Sequence, residues 1–336
     1  MPLDDCTRRG FLKGAGGVAV AAAGGVAVTQ TAEAASNWTD VTSPTSKTIY
    51  GVSMTVDGPY AAGKSGNLLS RQGGSWELTV SAGPHTRDNT LRTIAVTDDG
   101  KRVWFAGASG AIGAYDVDKQ RKIDYSAPTG KTTTWEGITA TGTRDSEAVY
   151  VSNGSGEVLK GTHDADGCLQ WGSSVTKPGS GSTMTAIDFQ ESNTSTGHAV
   201  DTTQGVYETT DSGGTWEKVG ISESQVNYYD AISYIDESDG TQFVHVAAGD
   251  GKVYRLDCTC DNWTPVQVSD KSLFGITHSG GARLACGGSG RIHEKPKGED
   301  WQQIESPVTA DLNEVVYGGT DYPDVIVGNS GTILER

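Results

Sequence analysis

Asn329-Ser330-Gly331-Thr332-Ile333, close to the C-terminus, returns in degenerate form along the whole chain as a glycine followed two places on by an apolar residue. The glycines are Gly66, Gly110, Gly156, Gly205, Gly251, Gly290 and Gly331, separated by 44, 46, 49, 46, 39 and 41 residues. Leu68, Ile112, Val158, Tyr207, Val253, Ile292 and Ile333 follow them. A serine precedes the glycine in five copies and Asp250 does so in a sixth, which reads as a tight turn between two strands, with glycine supplying a positive φ. Repeats of this length are whole supersecondary units, so seven copies predict seven blades.

Two further markers divide each unit. An apolar-x-small-apolar run lies upstream of every turn, at Ile49–Val52, Leu91–Ile94, Trp135–Ile138, Met184–Ile187, Tyr229–Ile232, Leu273–Ile276 and Leu312–Val315; these are the expected innermost strands. Downstream, Trp76, Trp171, Trp216, Trp263 and Trp301 each open an expected short outer strand, and Ile123 or Tyr125 takes that place in the second unit. With one more strand between the first marker and the turn, each unit holds four. Trp38 heads a lone strand, while the last unit ends without its tryptophan strand. The two fragments complete each other, so the expected fold is all-β: a seven-bladed β-propeller spanning 36–336, its last blade closed by the N-terminal strand.

The rest of the sequence agrees. Of 336 residues 46 are glycine and only 35% are hydrophobic, which argues against a helical bundle. A formal charge of −16, with no basic cluster, makes nucleic acid an unsuitable partner and suggests adaptation to high salt. Residues 1–35 resemble a twin-arginine export signal: Arg8-Arg9-Gly10-Phe11-Leu12-Lys13, a Gly/Ala-rich stretch over 14–28, and Ala32-Glu33-Ala34 as cleavage site. The expected location is therefore extracellular or at the cell surface, with membrane attachment only if the signal stays uncleaved. Cys6 leaves with the signal, and Cys168, Cys258, Cys260 and Cys286 can pair or remain free in that compartment. Histidine and cysteine spacings fit no metal site, no phosphate-binding or dinucleotide fingerprint occurs, and no cofactor is expected.

Thr209-Thr210-Asp211-Ser212-Gly213-Gly214-Thr215-Trp216 matches [ST]-x-D-x-G-x-[ST]-W throughout. Thr209, Asp211, Gly213, Thr215 and Trp216 are expected to form a structural staple, with Asp211 accepting from the turn's amides and Trp216 packing between sheets. His163-Asp164-Ala165-Asp166-Gly167 reads as a degenerate copy. With the glycine turns and the seven-unit pitch, this motif makes the chain resemble the BNR/Asp-box (WD40/YVTN-like) propellers, in particular the photosystem II stability/assembly-factor group. The resemblance implies an assembly or interaction scaffold rather than an enzyme. Sialidases share the Asp-box, but their Arg-Ile-Pro motif is missing here.

In a propeller the starts of the inner strands line one mouth of the channel, where a ligand site is expected. The second position of each inner-strand marker reads Tyr50, Arg92, Glu136, Thr185, Asp230, Phe274 and Asn313. Arg92, Glu136 and Asp230, with Tyr50 and Asn313, are the candidate binding residues, and no catalytic residue is assigned. The expected partner is a protein or a cell-envelope component, carbohydrate being possible, and the expected state is monomeric. The alternative is an extracellular carbohydrate-active hydrolase or lyase with an acidic pair in the mouth.

Overall fold

The computed structural model describes residues 37–179, 181–191, 193–220, 225–235, 240–256 and 262–336. Residues 1–36, with the stretch expected to be an export signal, and Cys258 and Cys260 lie outside them.

Seven four-stranded antiparallel sheets form the ring. Blade 1 is typical, with strands Ile49–Thr55, Gly58–Gly63, Leu68–Gln72 and Ser75–Val80 running outward from the axis. The inner strands of blades 2 to 7 are Leu91–Val96, Trp135–Thr141, Met184–Gln190, Tyr228–Ile235, Leu273–Ser279 and Leu312–Val316. Blade 7 carries Thr39–Asp40 as its outermost strand, paired with Ile333–Glu335 through Thr39↔Glu335 and Asp40↔Leu334. The first and last strands of the described residues therefore share one sheet, and this pairing closes the ring. Trp38 is buried beside this strand among Leu312, Val315, Ile326 and Leu334, with the Arg336 guanidinium 4.9 Å from its ring centroid.

The turn between the second and third strands explains the repeat. In blades 1, 2, 6 and 7 the serine and the glycine both take positive φ, as in Ser109 (56°) and Gly110 (74°), closed by the Ala111 N–H donating to the Ala108 carbonyl at 3.1 Å. This is the mirror-image turn whose twist suits a hairpin. Gly205 departs from the expectation: Gln204 holds the positive φ of 72° and Gly205 does not. Here Asp201 takes over, its Oδ1 accepting from the Thr203 and Gly205 N–H groups, both at 2.7 Å.

The outer tryptophans also vary. Trp263 opens its strand and Trp76 lies within one, Trp216 and Trp301 stand just before theirs, and Trp171 ends Leu169–Trp171 rather than opening it. In blade 2 Ile123 lies in the outer strand opposite Ala114, taking the missing tryptophan's place. The core is divided into interblade clusters: Trp104 and Trp135 are fully buried between blades 2 and 3, and Ile232, Val253, Leu273 and Ile276 pack between blades 5 and 6.

Candidate functional site

The seven inner strands surround a channel of about 790 Å³. Each carries a β-bulge at its start, after Ile49, Leu91, Trp135, Met184, Tyr228, Leu273 and Leu312. These first residues are all buried. The bulge turns the next side chain toward the mouth, giving the ring Tyr50, Arg92, Glu136, Thr185, Tyr229, Phe274 and Asn313.

Asp230 is not in this ring. Two consecutive tyrosines make the register of blade 5 ambiguous in sequence, and the bulge aligns Tyr228 with the buried first residues, so Tyr229 occupies the ring and Asp230 lies one layer deeper. The structure brings the other candidates together. Arg92 Nε is 3.5 Å from Glu136 Oε2, and its guanidinium carbon stands 5.7 Å from the Tyr50 ring centroid. Asn313 Nδ2 donates to the Ile49 carbonyl at 2.7 Å, tying blade 7 to blade 1. Thr185 Oγ1 likewise donates to the Tyr228 carbonyl at 2.9 Å. On the opposite rim Tyr229 and Phe274 meet edge to face at 5.2 Å.

The layer below reads Gly51, Thr93, Gly137, Ala186, Asp230, Gly275 and Glu314. Most positions are small because the next blade's inner strand passes close; a Cβ on Gly275 would stand 2.8 Å from both Cα and Oε1 of Glu314. Asp230 and Glu314 lie on either side of this bare glycine. Asp230 Oδ2 accepts from the Ile276 N–H at 2.8 Å and Oδ1 from the Ala231 N–H at 2.8 Å, while Glu314 Oε1 accepts from the Val315 N–H at 3.0 Å. Asp188 repeats the device, its Oδ2 accepting from the Ser233 N–H at 2.8 Å. Inner strands have free edge amides facing the channel, and these carboxylates satisfy them.

Their protonation is displaced upward. Burial in the channel wall pushes the Asp230 carboxyl up to about 7. Burial, reinforced by the Asp230 charge, holds Asp188 at about 7 and Glu314 well above the usual carboxylate range. Cys286, a buried free thiol behind them, is raised by burial and by both Glu314 and Asp230. Glu314 and Asp188 were not candidates in the sequence, although an acid inside an apolar inner strand was a visible signal.

The Asp-box lies on the periphery. Asp211 Oδ1 accepts from the Thr215 N–H at 2.8 Å and the Thr209 hydroxyl at 2.9 Å, Oδ2 accepts from the Thr215 hydroxyl at 2.8 Å, and the Gly213 N–H donates to Thr209 Oγ1 at 2.9 Å. These bonds hold its carboxyl below the ordinary range. Trp216 meets Phe189 edge to face at 6.3 Å. Asp164 is bound in the same way, accepting from the Asp166 and Cys168 amides at 3.0 and 2.9 Å. Among the described residues, no group of three or more His, Cys, Asp and Glu side chains has metal-binding geometry.

The closed ring and its open channel define a seven-bladed β-propeller. No protein-family model matches the chain, and no curated protein matches it. Solved structures do. A structure of YCF48 bound to D1 peptide is similar over 89% of this chain and 96% of its own, at 17% identity and a TM-score of 0.67. YCF48 from Cyanidioschyzon merolae is similar over 89% and 98%, at 14% identity and a TM-score of 0.64. Some 1640 chains of known structure share such a likeness, so the fold by itself selects no function.

Proposed function

We propose that this chain is an exported, monomeric, non-catalytic scaffold that holds a segment of a protein partner at the channel mouth and assists its assembly. The carrying observation is the mouth itself: Tyr50 and the adjoining pair Tyr229 and Phe274 stand among polar groups at the open end of a rigid channel. Aromatic side chains on a rigid support suit peptide recognition because little conformational entropy is lost on binding. YCF48, which has this fold and is recorded with a D1 peptide, supports the analogy. The leader at Arg8-Arg9 supports export, and the charge of −16 supports a saline setting in which a cell-envelope protein is the partner.

The test is capture from the host's envelope extract at high salt, with a photocrosslinking residue in place of exposed Asn227 at the rim. The expected result is a polypeptide adduct that is lost in a Tyr229→Ala/Phe274→Ala variant. Absence of any adduct, or retention in that variant, refutes the reading.

The raised carboxyls favour a second reading, a hydrolase or lyase acting on carbohydrate. A general acid must hold its proton near neutral pH, and burial raises Asp188 and Asp230 to about 7 and shifts Glu314 in the same direction. Release of new reducing or unsaturated ends from host glycan, abolished by Asp230→Asn, would establish it.

A further inference from the structure

One side of the mouth already shows what its chemistry accepts. There the chain's own guanidinium, Arg92, lies over the Tyr50 ring and pairs with Glu136. Across the channel the same components recur, with Tyr229 and Phe274 at the rim and Asp230 and Glu314 one layer below. No cationic side chain forms an ion pair with Asp230, Glu314 or Asp188 among the described residues. The channel lining contains six carboxylates, Asp98, Glu136, Asp188, Glu191, Asp230 and Glu314, against Arg92 and the imidazole of His278. His278 is at the far end of its strand, stacked on Tyr234 at 3.8 Å, with its pKa pushed down to about 4 by burial, so it is neutral at pH 7.

We infer that the Tyr229–Phe274 side of the mouth is a pocket for a cationic side chain, arginine or lysine, which lies against the channel side of this aromatic pair and ends against Asp230 and Glu314. This rests on the peptide-binding reading and specifies the residue that the partner inserts. The cavity is open at the rim, so a side chain can enter while its backbone stays on the mouth. A cation can stack on an aromatic face and pair with a carboxylate at once, as Arg92 does opposite with Tyr50 and Glu136 within the rim layer. Gly275 keeps the floor bare, since a Cβ there would occupy the space beside Glu314 Oε1. Carboxyls protonated in the empty channel ionise when a cation arrives, so binding releases protons.

The test uses the full chain and two small probes, N-acetyl-arginine amide and its uncharged isostere N-acetyl-citrulline amide. Calorimetric titration at pH 7 in two buffers of different ionisation enthalpy reads affinity and proton release together. The expected result is at least tenfold tighter binding of the arginine probe, with net proton release. The preference falls to below twofold in Asp230→Asn/Glu314→Gln and survives in Asp98→Asn, a change at the other rim. Retention of folding is checked by melting, and neutralising adjacent carboxyls should not lower it. Equal binding of the two probes, or a preference that survives the double variant, overturns the inference. If the arginine probe fails while the rim crosslink to a polypeptide persists, the cationic pocket is wrong and the scaffold reading stands; if the crosslink alone fails, the scaffold reading is the one lost.

Discussion

Trp38→Ala tests the ring closure. The strand that completes blade 7 is two residues long and has two register pairs, supplemented by the Val41 N–H donating to the Ile333 carbonyl at 3.0 Å. At a net ~1 kcal/mol each, a few backbone bonds barely offset the ~1–2 kcal/mol per residue lost in ordering the chain. Trp38, at 4% exposure, therefore carries the attachment. Truncating a buried tryptophan costs about 3–5 kcal/mol, and loss of the Arg336 contact adds roughly 0.5–1 kcal/mol. At about 2–4 °C per kcal/mol the combined loss lowers Tm by roughly 7–24 °C, the smaller figure suiting a chain of this length. Hydrogen exchange should show the defect first in the Ile333 and Glu335 amides, which face the lost strand, with the inner strand of blade 3 following only at global unfolding. A variant with unchanged Tm and protected blade 7 amides would refute the reasoning that this tryptophan holds the ring shut.

Further predictions follow from the turns and the buried charges. Gly110→Ala places a Cβ 2.5 Å from the Lys131 carbonyl at φ 74°, and should lower stability by more than the ~1 kcal/mol of a simple glycine replacement, measured by urea melting. Arg102→Met removes the guanidinium 2.7 Å from the buried Glu147 carboxylate, while Asp116 keeps that of Arg144 at 3.5 Å, and should cost about 3 kcal/mol or more; a neutral outcome in the same melt would contradict it. Asp188, raised to about 7 by burial, binds its proton more tightly folded than unfolded, so its contribution is full below its ordinary value near 3.8 and is lost as pH rises through 7. Asp188→Asn should therefore raise Tm at pH 8 and leave it unchanged near about pH 4, and a gain confined to acid pH would reverse the sign. His278, lowered by burial to about 4, adds the opposite slope: its contribution is present above about pH 6.5 and is lost as pH falls through 4, a loss that His278→Gln should remove from acid melts.

Ring, blade number and closure were legible because they rest on residues that backbone geometry restricts. Ser-Gly at a mirror-image turn, a buried residue at the start of each inner strand and a tryptophan near the outer edge of every blade but the second recur wherever the same packing recurs. Register within a blade was harder to read. Tyr228-Tyr229 offers two equivalent starts, and only the bulge decides which faces the core, so Asp230 was assigned one layer too high. The Asp230–Glu314 pair could not be read from spacing either, since the two are separated by a whole blade and face the same stretch of wall only because Gly275 between them has no side chain. In contrast, Asp211 and its threonines lie within one turn, and their geometry follows from local sequence alone.

The shared blade has a consequence beyond stability. Its outermost strand is covalently remote from the sheet it completes, joined to it through the entire ring, and two residue pairs are its whole ladder. A neighbouring molecule could lend the same strand at no cost in contacts, because the acceptor edge beside Ile333–Glu335 does not distinguish its own N-terminus from another's. At high protein concentration, strand exchange between copies and refolding within one copy become competing routes to the same finished sheet.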